Sequence, residues 1–260
     1  MKNVSTGTPP AMKRKYELLA SQTVTTGEGT ILYRVRYLST GEMGGFLESE
    51  ANLSQVGRCQ VLGEAWVYGK AHIQEDAVVT GEARVFDQAI VSGAAQVKDD
   101  AWVFESARIE GQARIQSHAL VSGSALVHGT SSLQKNARVS GDCVIGDSAT
   151  IGGDAMVMGS ARILGQAQVS EYAKIQGHVV LAGNASVGGQ ARLTGDVTIE
   201  GDAKVFGNSR IADHARIIER ARVFGDARLT GRVRVAGDAW VAGKAKLVDG
   251  DQLGGHDRRE

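Results

Sequence analysis

Proline and cysteine each occur only twice in 260 residues, and aromatic side chains are scarce. Two cysteines, Cys59 and Cys143, cannot build the disulfide framework of a small secreted domain. Both stand where the pattern described below otherwise has alanine, so they read as small buried thiols rather than redox or nucleophilic groups. Net charge is also missing. The 29 lysines and arginines face 29 acidic residues, which leaves no global field to draw the chain to nucleic acid or an acidic membrane. No apolar run approaches the ~20 residues a transmembrane helix needs. The opening "MKNVSTGTPPAMKRKYELL" is basic but has no signal-peptide core. A cytosolic location is the expectation. The shortage of large apolar residues is unusual for an ordinary globular core, which relies on Leu and Phe. What is plentiful is glycine, at 34 residues, together with alanine and valine, which suits a narrow core of small side chains.

What the chain has instead is a beat of six, plain in "ARVFGDARLTGRVRVAGDAWVAGKAKL" (221–247). From Cys59 to Lys244, 31 hexads follow one another without insertion. The third position is Val, Ile or Leu in all 31, and the first is Ala in 24 and otherwise Cys, Ser or Val. The fifth is Gly in 21, with ten exceptions that include Glu75, Asp87, Lys135 and Glu219. A fixed short period is the signature of a solenoid. Small and aliphatic residues two apart share one face of a strand, so positions one and three point inward and two and four outward. Position five tolerates charge and favours Gly, which makes it a corner with unusual backbone angles. An amphipathic helix is excluded, because a period of six is out of phase with 3.6 and so much Gly would melt it. Three hexads make one triangular coil of 18 residues. About ten coils at ~4.8 Å give a prism ~50 Å long.

The pattern resembles that of the hexapeptide-repeat proteins, whose repeats wind into left-handed β-helices. In that family Gly directly follows the aliphatic residue. Here it comes two places later, as in "VFGDARL", which keeps a right-handed solenoid as the alternative. The resemblance implies an all-β fold, a single-stranded left-handed β-helix with a small N-terminal cap. Four segments are expected: a disordered leader (1–14), a capping segment (15–58), the repeats (59–247) and a flexible tail (248–260). In the cap, "ILYRVRYL" (31–38) alternates like a strand and serves to block the open edge of the first coil. The stretch "GEMGGFLESEANLS" (41–54), running into "GEAWVYGKAHI", is similar to the lead-in of the YdcK-like proteins of bacteria and their phages. That group carries an acetyltransferase label. The resemblance therefore implies the fold and, through the label, acyl transfer from acyl-CoA by a trimer.

The 18-residue coil turns the sequence into a surface map. One face carries Trp66, Tyr68, Arg84, Phe86, Trp102 and Phe104 in its first three coils. Its last four carry a basic ladder, Lys174, Arg192, Arg210 and Arg228. A second face ends in Phe206, Phe224 and Trp240. No inward position holds an aromatic residue, so these rings point outward. An exposed aromatic patch on a soluble chain marks a contact surface, and Trp, Tyr and Arg are favoured at binding hot spots. Self-association or a protein partner is expected there. Acidic residues near the ladder, Asp196, Asp202, Asp226 and Asp238, are expected to neutralise much of its field. The ~4.8 Å spacing of the ladder matches no phosphate repeat, which disfavours nucleic acid.

Signs of catalysis are thin. Acyltransferases of this repeat class generally use a His base and a loop thrown out between coils, and the unbroken hexads leave no room for such a loop. His72 and His128 project from one face about three coils apart, too far for cooperation. His72, next to the coil of Trp66 and Tyr68, is the only weak catalytic candidate. No metal-ligand spacing, nucleophile elbow or phosphate loop appears. The reading is a non-catalytic interaction protein without cofactor. The alternatives are an acyl-CoA-dependent trimeric acyltransferase and a solenoid that polymerises end to end.

Overall fold

A computed structural model describes residues 14–260; the expected leader lies, except for Arg14, outside the described residues. Each hexad forms a short strand at positions two and three and turns at five and six. Trp66–Val67, His72–Ile73 and Val78–Val79 thus fall on three successive sides. Each strand pairs in parallel with the strand 18 residues on, so that Trp66 lies opposite Arg84 and Arg84 opposite Trp102. Three sheets result. Sheet A includes the strands from Trp66–Val67 to Lys246–Leu247, sheet B those from His72–Ile73 to Gln252–Leu253, and sheet C those from Gln60–Val61 to Arg258–Arg259. Sheet C alone holds 12 strands, giving a solenoid of about twelve coils rather than ten. No α-helix occurs among the described residues, and none of their helices is long and apolar enough to cross a membrane.

The core is the inward face of the repeat. Ala65, Val67, Ala71 and Ile73 are fully buried, and the same positions repeat this along the prism. A single coil buries too little to fold alone; its neighbours complete both the hydrogen bonds and the core. Cys59 and Cys143 are buried and free, and burial pushes the Cys143 thiol above its usual range.

The corners show why position five takes either glycine or acid. All ten non-glycine residues there, from Glu75 at φ 60° to Glu219 at φ 65°, adopt the left-handed conformation. A side chain in that region costs ~1–2 kcal/mol. Eight of the ten are Asp or Glu, and each carboxylate accepts the N–H of the position-five residue one coil on. Asp99 accepts from Ser117 at 2.8 Å, Glu105 from Gly123 at 2.5 Å and Asp147 from Gly165 at 2.8 Å. Those N–H groups have no backbone partner, so the acid satisfies a donor that glycine would leave to water. At Gly123 (φ 74°) an added Cβ would sit 2.5 Å from the Gly141 nitrogen, so an uncompensated side chain is strained there.

The cap is an antiparallel meander of β1 (Tyr16–Thr25), β2 (Ile31–Tyr37) and β3 (Met43–Leu47), and β3 pairs in parallel with Trp66–Val67. It covers the first coil's open edge group by group. The Phe46 N–H donates to Ala65 O and the Ser54 N–H to Ile73 O. The buried Asn52 amide donates to the carbonyls of Gly69 and Ala71 at 3.1 and 2.9 Å. The Tyr37 hydroxyl accepts the Val61 N–H at 2.8 Å and donates to the Val61 carbonyl at 3.2 Å, standing in for a strand neighbour.

At the other end the structure corrects the expected flexible tail. Gln252–Leu253 pairs with Arg234–Val235, and Arg258–Arg259 pairs with Trp240–Val241. The register of six continues, with Leu253 buried at the third position. At position one, Asp251 and Asp257 replace Ala and accept the N–H of Val248 and Gly254, three residues back. Those polar residues at inward positions disguised the repeat.

Candidate interaction surfaces

Because strands stack in register, a side chain at position two meets its equivalents one coil away at about 4.8 Å. On sheet A this builds two parallel aromatic columns. In the first, the Arg84 guanidinium lies between two indoles, 4.5 Å from the Trp66 ring and 5.0 Å from the Trp102 ring. In the second, Tyr68, Phe86 and Phe104 stack with nearly parallel planes, their centroids 5.0 and 5.1 Å apart. Phe86 and Trp102 close the gap between the columns edge-to-face at 6.2 Å. Such pairs contribute ~0.5–1.5 kcal/mol beyond their buried area. Burial among the rings pushes the Tyr68 phenol up, against an opposing pull from Arg84.

All six side chains point outward, as the map requires. Trp66, Tyr68, Phe86 and Phe104 are nonetheless half-buried by one another, and Trp102 is the aromatic that remains openly exposed, at 37%. The first column continues into the cap, where Phe46 lies opposite Trp66 and under the Arg34 guanidinium at 4.6 Å. This extension could not be read from the 18-residue spacing, since Phe46 stands 20 residues before Trp66.

Further along the same sheet, Lys174, Arg192, Arg210 and Arg228 stack directly upon each other. Lys246 completes the ladder opposite Arg228, and the 18-residue spacing could have found it. Here the coil strands of sheet A are longest, because Met156–Gly159, Lys174–Gly177, Arg192–Gly195 and Arg210–Asp213 are four-residue strands. A groove of ≈ 550 Å³ runs beside the ladder, between it and the corner column of Asn208, Asp226 and Lys244. The expected neutralising acids bond elsewhere. Asp226 accepts from Asn208 at 3.1 Å, Asp202 from Asn184 at 2.7 Å and Asp238 from Arg220 at 2.7 Å; Asp196 meets His178 at 3.2 Å. Among the described residues, no carboxylate forms an ion pair with any of the five ladder cations.

The second cluster lies on sheet C. Phe206 and Phe224 stack at 6.2 Å, Trp240 meets Phe224 edge-to-face at 6.1 Å, and Arg258 lies over Trp240 at 5.4 Å. Gly188 gives Phe206 its room, for a Cβ there would sit 2.6 Å from the ring. The structure does not bring the two clusters together, since they occupy different sheets at opposite ends.

The His72 ring is tied to the cap. Its Nδ1–H donates to the Ala51 carbonyl at 2.6 Å, which fixes the tautomer and leaves Nε2 free. His128 lies across Gly146, and a Cβ there would meet its Nε2 at 2.5 Å. No group of three His, Cys, Asp or Glu side chains suited to a metal ion occurs among the described residues. No family model and no curated protein matches the chain.

Proposed function

We propose that this protein is a non-catalytic interaction rod that makes protein contacts through the outward aromatic face of sheet A. The observation that carries the reading is the preorganised cluster of Trp66, Arg84 and Trp102 beside Tyr68, Phe86 and Phe104. The inward positions already satisfy the core, so this face is an addition to the fold. Its rings are held in place by their stacking, so little side-chain entropy remains to be lost on binding. Trp and Arg fixed on a rigid sheet are the residue types that dominate binding energy. The cluster on sheet C, with Phe206, Phe224 and Trp240, is a second and smaller contact surface on the same reading. The YdcK-like resemblance supports the same solenoid, and its acyltransferase label is the competing proposal.

The test is the double variant Trp66→Ser/Trp102→Ser, with the exposed Val56→Ser, outside both clusters, as control. The double variant loses self-association or partner capture and keeps its circular dichroism. Unchanged molar mass together with unchanged partner capture contradicts the proposal. Saturable binding of acetyl-CoA by the wild-type chain, in calorimetry, would put acyl transfer in its place.

A further inference from the structure

The far half of sheet A's outward face is a strip with one sign of charge. Position two holds Lys174, Arg192, Arg210, Arg228 and Lys246 in unbroken succession, each exposed. Position four beside it holds Gln176, Thr194, Ala212, Thr230 and Val248, none of them charged. Small residues thus stand where the first coils carry Tyr68, Phe86 and Phe104. Thr194, Ala212 and Thr230 floor a depression of ≈ 350 Å³, walled on one side by Arg192, Arg210 and Arg228.

Like charges directly opposite one another destabilise a sheet. The fold does not require them here, since the same position takes Leu120 and Met156 in other coils. An anionic surface laid along the ladder removes the repulsion. A second copy of the chain offers no such surface. Position two carries no Asp or Glu on any coil, and position four carries only Glu110, Glu200 and Glu260, which are scattered. At the corners, no position stays acidic for more than three coils, too few to face the ladder.

The spacing of the cations selects the occupant. They repeat every ~4.8 Å and span ~19 Å. Side chains on one face of a strand recur every ~6.6 Å, and phosphates along one strand of duplex DNA every ~3.4 Å. Both fall out of step with the ladder within a few rungs. One turn of an α-helix advances ~5.4 Å, which is nearer. Carboxylates at i, i+4, i+7, i+11 and i+14 share one helix face and span ~21 Å, a mismatch that long Lys and Arg side chains absorb. Positions two and four of the strip also lack any aromatic ring on which bases would stack.

We propose that this strip is a docking site for an acidic α-helix of another protein, lying along the solenoid axis with its Asp or Glu face turned to the ladder. The helix seats in the depression over Thr194, Ala212 and Thr230, which no carboxylate lines. The larger groove on the other side of the ladder is lined by Asp226, which would repel such a helix. This surface is separate from the aromatic cluster of Trp66 and Trp102, so the rod carries two contact sites of different chemistry on one sheet.

The experiment is fluorescence anisotropy at low salt with two alanine-rich peptides of about 20 residues, a length that supports a helix in water. One carries Glu at i, i+4, i+7, i+11 and i+14; its isomer has the same composition with Glu spread around the helix. Wild type binds the facial peptide at least tenfold more tightly than the isomer, and added salt weakens the binding. Arg210→Glu/Arg228→Glu loses the peptide. Ala212→Tyr leaves the charge intact but fills the depression, and weakens binding at least tenfold; position four already carries tyrosine at Tyr68, so the variant folds. Trp66→Ser/Trp102→Ser binds the peptide as wild type does, which keeps this inference separate from the aromatic contact surface. Circular dichroism shows each variant folded, and Arg210→Gln melts higher than wild type at low salt because a like-charge contact is gone. Equal binding of the two peptides overturns the inference, as does a facial peptide that the charge variant or Ala212→Tyr still holds, or that Trp66→Ser/Trp102→Ser loses. Tighter binding of oligothymidylate or inorganic polyphosphate than of the facial peptide overturns it too, and assigns the strip to a phosphate polymer.

Discussion

Glu105 and Gly123 occupy the same corner one coil apart, and the Glu105 carboxylate accepts the Gly123 N–H at 2.5 Å. Glu105 in turn donates its own N–H to Asp87, one coil earlier, at 3.0 Å. A side chain in a left-handed turn is thereby made useful to the next turn. Replacing Glu105 with Ala keeps the backbone strain and removes the bond, so stability falls by about 1 kcal/mol. Glu105→Gln keeps an acceptor and stays near wild type. Glu105→Gly loses the bond but relieves the strain, and falls between the two. Urea midpoints check the order, and an Ala variant as stable as the Gln variant contradicts this account of the corners.

Ser131 and Ser209 hold the same inward position that is alanine in most coils, and they behave differently. The Ser131 hydroxyl donates to the His128 carbonyl at 2.7 Å, whereas the buried Ser209 hydroxyl has no partner. Ser209→Ala is expected to stabilise the protein by about 1 kcal/mol and Ser131→Ala to destabilise it by a similar amount. Chemical denaturation of the two variants side by side is the check; equal effects contradict the assignment.

The cap is expected to weaken in alkali. Burial pushes the Tyr37 phenol from 10.0 up to about 12, although its bond to the Val61 backbone pulls the other way. The folded value is the raised one. The stability tied to the neutral phenol is therefore complete below pH 10 and is lost as pH climbs towards about 12. Protease sensitivity of residues 16–47 should rise in that window while the coils remain intact. Tyr37→Phe should flatten the response and weaken the cap at neutral pH.

Cys143 is buried, and its thiol is pushed up by that burial. A thiol reagent is expected to leave Cys143 unmodified in the native protein and to modify it on unfolding, so its reaction rate follows opening of the solenoid. Rapid labelling without loss of circular dichroism contradicts the packing around it.

The stacking of Trp66, Arg84 and Trp102 was legible because a strict period of six fixes both the side and the coil of every residue. The inward burial of Ala65 and Val67 followed from the same rule. Three features were hidden, each for a physical reason. Phe46 joins the aromatic column through a cap strand that does not obey the period. Residues 251–259 kept the period, but Asp251 and Asp257 bond to backbone N–H groups where other coils pack Ala. The unpaired state of the ladder depends on side-chain geometry, because Asp226 turns towards Asn208 rather than towards Arg210 or Arg228. Spacing says which groups are near, and only their rotamers say which of them bond.

The central claim is that sheet A's outward face is a contact surface between proteins. Hydroxyl-radical footprinting across a concentration series, with and without host lysate, tests it at single residues. Trp102, exposed in the isolated chain, is expected to lose reactivity as assembly or capture proceeds, while Val56, at 63% exposure beside the Gly57–Glu75 corner between sheets B and C, stays reactive. Trp102 reacting equally under every condition would contradict the account.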